Sequence, residues 1–282
     1  MLPLLVALLV SAEYLDGVSC SPLREARQAP KKDWLIDAVN YIKSNPETLE
    51  EVMSPDPAVQ EGDMMLSTDR NAVANIWPKQ QIPYVISPDL ANRRDDILSA
   101  MAMVSKPTCV TFHPRITEMN YLQFTTSTGC ASFVGLIGGK QPVFVGPHCM
   151  VGNIVHEILH TLGFQHEHTR MDRDQYITVL SPNIMEGMEI NFQKYKGETF
   201  DLPYDVSSIM HYGSGFFSRN GKPTILSKKQ VSDMGQRVRM TDLDIKRVRR
   251  LYKCDAVKQP AAAQETKKNL KTWRDDTSRQ TA

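Results

Sequence analysis

HEILHTLGFQHEHTRMDRD, residues 156–174, places His156, His160, His166 and His168 within one short stretch. His156 and His160 are four apart, so on an α-helix their imidazoles face one side, about 40° apart and one turn along the axis. Glu157 lies beside the pair, within reach of a water held at the same place. If the helix continued, a residue six beyond His160 would point about 120° away and could not share a metal. Gly163 removes that obstacle, because glycine adopts the left-handed conformation that ends a helix and turns the chain back. The returning chain then brings His166 to a third ligand position, while His168 falls outside the spacing and is read as a loop neighbour. Three neutral imidazoles suit one Zn2+ ion and leave a coordination position for water. Zinc lowers the pKa of such a water toward ~7, and Glu157 is placed to act as general base and then general acid. The chemistry implied is hydrolysis of a peptide bond.

The rest of the chain is compatible with this. Its 282 residues are 41% hydrophobic and 23% charged, enough for one sizeable domain plus extensions. The formal net charge of +1 gives no reason to expect nucleic acid or an anionic membrane as partner. Leu2–Val10 is apolar, too short to span a bilayer, and reads as a secretory signal without a positive n-region, cleaved after Ala12 or Cys20. Of Cys20, Cys109, Cys130, Cys149 and Cys254, loss of Cys20 with the signal leaves an even set, as an oxidising compartment requires. Those four allow three pairings, among which spacing does not choose.

Between residues 33 and 53 apolar positions recur at helical spacing, followed by an irregular stretch containing Gly62-Asp63. From Asn71 the texture changes. Short β-like runs at 82–86, 110–113, 121–125 and 143–145 come first, with a helix over 90–104 between the first two. Helices over 151–162, near 184–194 and over 241–252 follow, the last opened by the capping pair Thr241 and Asp244. Strands first and helices later give an α+β class rather than an alternating one. Residues 256–282 are polar, Ala/Lys/Gln-rich and expected to be disordered. No N-x-S/T sequon occurs.

The opening stretch closely resembles the signature of the astacin metalloendopeptidases, HExxHxxGFxHExxRxDRD, with Phe164, Glu167, Arg170, Asp172, Arg173 and Asp174 all in place. SSIMHYG, residues 207–213, is similar to the Met-turn of that family. The resemblance implies Met210 beneath the metal and Tyr212 as a further zinc ligand, which leaves the metal when substrate binds and donates to the oxyanion. QEGD, residues 60–63, resembles the propeptide motif F-x-G-D, with Gln60 where the family usually has Phe. It implies that Asp63 is the zymogen switch. The basic site Arg70-Asn71 and the tripeptide Arg70-Asn71-Ala72 that contains it resemble the fish hatching enzymes. They imply a mature N-terminus at Asn71, buried against Glu167. The disulfides implied are Cys109–Cys254 and Cys130–Cys149.

The layout implied is a signal peptide (1–20), a propeptide (21–70), a catalytic domain (71–255) and a tail (256–282). The catalytic domain is expected to be a two-lobed metzincin, with a twisted sheet and active-site helix in the upper lobe. The Met-turn and C-terminal helix then belong to the lower lobe. The function implied is a secreted zinc endopeptidase, a monomer without a transmembrane segment, made latent and activated by another protease before it cuts protein or peptide substrates. The alternative is a catalytically silent binding protein on a protease scaffold, against which intact Glu157 and Tyr212 count. A matrix-metalloproteinase-like reading requires a propeptide cysteine, and none lies between Ser21 and Arg70.

Overall fold

The computed structural model describes residues 59–60, 64–65 and 76–256. The expected signal peptide, the helical stretch at 33–53, Asp63, Asn71 and the tail beyond residue 256 lie outside the described residues.

Seven strands form the main sheet: β1 (Val59–Gln60), β2 (Met64–Met65), β3 (Gln81–Ile86), β4 (Thr111–Pro114), β5 (Tyr121–Thr126), β6 (Ala131–Phe133) and β7 (Lys140–Val145). Their spatial order is β1-β2-β6-β7-β5-β3-β4. Alternation decides which face is buried. Leu122 and Phe124 of β5 point into the core between less buried neighbours, and Val143 and Val145 of β7 do the same. β3 pairs parallel with both β4 and β5, and β5 parallel with β7, whereas β6 runs antiparallel to β7. A parallel neighbour needs a crossover, and α1 (Arg94–Ser105) supplies it between β3 and β4. The α+β domain therefore contains a strand–helix–strand unit where the sequence placed a helix between its first two β-like runs.

The helix expected over 90–104 divides into a 3-10 turn, Pro88–Arg93, and α1, with Leu90 non-helical inside the turn. α2 (Val151–Thr161) carries the first two histidines and is buried from Gly152 onward, as befits a helix packed between α1 and the sheet. α3 (Asp242–Leu251) closes the domain, opened by the Thr241–Asp244 capping box. The helix expected near 184–194 does not form. Two 3-10 turns, Ser181–Asn183 and Glu189–Phe192, stand there instead. Pro182 opens the first, and Gly187, at φ +87°, interrupts the path between them.

The described residues form two hydrophobic cores. The larger joins the sheet, α1, α2 and α3 through residues such as Ile97, Leu122, Ile158 and Val248. The smaller gathers Ile177, Phe192, Tyr204, Tyr212, Phe217 and Ile225 around a two-stranded ribbon, β8 (Ile177–Val179) with β9 (Ile225–Ser227). Cys109–Cys254 ties the entry to β4 to the chain just after α3, and Cys130–Cys149 ties the start of β6 to the approach to α2. Their Cα–Cα distances of 5.2 and 5.9 Å are ordinary for such bridges. No described helix is long and apolar enough to cross a membrane.

Candidate metal centre

α2 ends where its sequence says it should. Gly163 has φ +108°, its N–H reaches the His160 carbonyl at 2.8 Å, and the Phe164 N–H reaches the Leu159 carbonyl at 3.1 Å. This pair of reversed hydrogen bonds is the Schellman arrangement, in which a left-handed residue satisfies the last carbonyls of a helix. Two side chains complete the cap: Trp77 Nε1 donates to the Thr161 carbonyl and the Tyr252 hydroxyl to that of Leu162, each at 3.0 Å. The chain leaves α2 in a direction that returns His166 to the helix.

His156, His160 and His166 are brought together, fully buried, with ligand nitrogens within 4.8 Å of one another. His156 Nδ1 donates to the Ile209 carbonyl and His160 Nδ1 to the Phe164 carbonyl, each at 2.7 Å. A carbonyl can only accept, so both protons sit on Nδ1 and both Nε2 atoms carry lone pairs. Those two Nε2 atoms are 3.0 Å apart, and His156 Nε2 is 3.1 Å from His166 Nε2. Two acceptors at that distance do not hydrogen-bond to each other, and the spacing is one at which a shared cation could be held. Ligands about 2.0 Å from a tetrahedral zinc are about 3.3 Å apart, so the donor set fits Zn2+ in chemistry and in size.

Glu157 is buried on the same helix, and its carbonyl accepts from Ser132 Oγ at 2.9 Å, pinning β6 along α2. Tyr212 is wholly buried, its ring 4.7 Å from that of His166. His168 stacks on Tyr212 with ring centroids 3.8 Å apart and hydrogen-bonds through Nε2 to the Asn191 carbonyl at 2.9 Å. It stands outside the three-histidine cluster. Burial, reinforced by His166, holds His168 well below the ordinary imidazole pKa, and burial pulls His211 down to about 4.

The family model Astacin (peptidase family M12A) matches residues 69–253. The chain belongs to the astacin family. It is 40% identical to zinc metalloproteinase nas-4 of Caenorhabditis elegans, over 75% of each chain. It is 34% identical to the low choriolytic enzyme of Oryzias latipes, over 89% of this chain and 96% of that one. High choriolytic enzyme 1, a hatching enzyme zinc-protease of the same fish, superposes with a TM-score of 0.62 at 35% identity, covering 67% of this chain and 98% of the other. Other curated relatives are longer, and the chain spans between 34% and 48% of their length. The matched region is a zinc metalloendopeptidase domain of the astacin type, and its metal is zinc.

In this astacin domain Glu167 follows the third histidine and faces inward. Its Oε1 meets Arg247 at 2.6 Å, Arg170 at 3.2 Å and the Asp205 N–H at 2.8 Å. Burial pushes its carboxyl up to about 7, against the downward pull of the two guanidiniums. Beside it lies a cavity of about 360 Å³ lined by Ile76, Gly163, Glu167, Arg170, Met210 and Leu251, among others. Sequence reasoning missed the carbonyls of Ile209 and Phe164, which no residue type reveals, and it missed Arg247 altogether. Asp244 was visible only as half of a capping pair.

Proposed function

We propose that the chain is a secreted endopeptidase made as a latent precursor, with His156, His160 and His166 holding zinc and Tyr212 as a further ligand. The observation that carries this reading is the convergence of the three imidazoles, two of them with Nδ1 anchored to backbone carbonyls. When bound there, zinc supplies Lewis-acid polarisation of the scissile carbonyl and activation of water near neutral pH. Glu157 takes the proton of the attacking water and passes it to the leaving amine. The Tyr212 hydroxyl donates to the oxyanion as negative charge develops there. Met210 supports the site from below: its side chain is buried in the larger core and its carbonyl accepts from the Glu167 N–H at 2.9 Å.

The pairing of β2 supports the reading of a latent precursor. β2 belongs to the proposed propeptide (21–70) and pairs with β6, the strand pinned along α2, so a segment of propeptide takes the edge on which an extended substrate would add. Asp63 immediately precedes β2 and serves as the switch. Cleavage after Arg70 would free Asn71, and the cavity beside Glu167 offers a buried acidic partner to the new ammonium group. The catalytic domain then spans 71–255, between the propeptide and the tail (256–282), with the signal (1–20) removed. The substrate is a protein or peptide, the activating protease is a separate enzyme, and the mature protein acts as a monomer.

One set of variants tests this. Activated Glu157→Gln should retain one zinc per chain yet lose about 10³-fold in peptide hydrolysis; undiminished hydrolysis would sink the mechanism. Uncut Asp63→Ala should hydrolyse peptide while the uncut wild-type chain does not. Equal inactivity of the two precursors would remove Asp63 from the switch.

A further inference from the structure

α3 has no part in the chemistry proposed above, yet one of its carboxylates reaches the segment that orients a zinc ligand. Asp244 is 3% exposed. Its Oδ1 accepts from Ser208 Oγ at 2.5 Å, and its Oδ2 accepts from the backbone N–H of Ile209 at 3.1 Å and of Thr241 at 2.9 Å. Ser208 Oγ in turn accepts from the Met210 N–H at 3.0 Å. Three successive residues, 208 to 210, are therefore fixed through one carboxylate on a different element. The carbonyl of the middle residue, Ile209, is the one that takes the His156 Nδ1 proton at 2.7 Å.

We infer that Asp244 is a positioning residue for the zinc site, holding Ile209 so that its carbonyl orients His156 and keeps Nε2 in the lone-pair form. The inference rests on the reading of His156, His160 and His166 as the zinc ligands. A histidine ligand depends on the acceptor behind its other nitrogen for ring orientation and basicity, and loss of such a partner lowers metal affinity 10- to 100-fold. Here that acceptor is a loop carbonyl, and a loop carbonyl is only as fixed as what holds its residue. Asp244 supplies that restraint from a helix that is itself capped by Thr241 and locked at its far end by Cys254. Arg247, one turn on, lies 3.4 Å from Asp244 and pairs with Glu167, so the same helix also restrains the residue after the third histidine.

The test measures zinc affinity by chelator competition and the visible absorption of the Co(II)-substituted full-length chain, neither of which depends on turnover. Asp244→Ala should weaken zinc binding about tenfold and shift the Co(II) bands. Val248→Ala thins the packing of α3 against the larger core without removing a hydrogen bond of Asp244 or of 208–210, so it should lower the melting temperature but leave affinity and spectrum as in wild type. Unchanged affinity and spectrum in Asp244→Ala, or an equal loss in Val248→Ala, would overturn the inference. If Asp244→Ala does not fold, Ser208→Ala decides, because it removes the hydroxyl between Asp244 and Met210: weaker zinc binding supports the clamp and wild-type binding overturns it. His156→Ala is run alongside. If it keeps wild-type zinc affinity, the histidine assignment itself falls, and this inference with it.

Discussion

A methyl group added at Gly152, in the first turn of α2, would lie 1.8 Å from the carbonyl oxygen of Arg237 and 2.3 Å from its carbon. Both atoms are backbone, so neither can swing aside. Gly152→Ala is expected to cost about 3 kcal/mol, a melting temperature lower by roughly 10 °C for a domain of this size. A calorimetric melt at the wild-type temperature would show that the helix can retreat from the 237 segment. Gly163 is a different case: its added methyl would find ordinary contacts, and it is the φ of +108° that calls for glycine. The three histidines and Gly163 were legible because their spacing encodes helix geometry. Their hydrogen-bond partners were not, since Ile209 lies 53 positions from His156 and contributes only its carbonyl.

At the scale of elements, long periodic segments were read well and short ones poorly. α2 and α3 form within a residue of the expected ranges, because each carries an apolar face and a recognisable terminus. β6, β8 and β9, three residues each, are too short to show alternation and owe their existence to neighbours: β7 for one, each other for the rest. The helix expected near 184–194 failed for a related reason. Ile184, Met185 and Phe192 are spaced for a helix and are buried, but they reach the smaller core through turns bent at Pro182 and Gly187. Burial there is tertiary, and periodicity reports only local order. Asp244 combines both kinds: as a cap it is local and visible, and as a clamp on residue 209 it is neither.

In the molecule as a whole, the metal site lies where the two cores meet. α2 and Met210 belong to the larger core and Tyr212 to the smaller, so the relative placement of the cores sets where Tyr212 stands against the three histidines. The bridge between Cys109 and Cys254, 145 residues apart and both packed against the larger core, closes the loop of chain that carries the smaller one, in the unfolded chain as well as the folded. Replacing both cysteines by serine should cost about 4 kcal/mol, seen as a melting temperature lower by roughly 10 °C with Cys130–Cys149 intact. An unchanged melt would mean that packing alone sets the closure. The pairing could be anticipated only through the family resemblance, since four cysteines leave three choices and geometry picks one.

That bridge has a second consequence, which concerns survival rather than folding. Everything from His156 to Asp244 lies inside one covalent ring. A protease working among its own copies is exposed to self-digestion, and its surface loops are the first bonds to be cut. A cut within the ring opens the circle without releasing a fragment, so the three histidines and Glu157 stay joined to both ends of the break. Worn enzyme would keep its mass and much of its site under oxidising conditions, and would come apart only when the bridge is reduced.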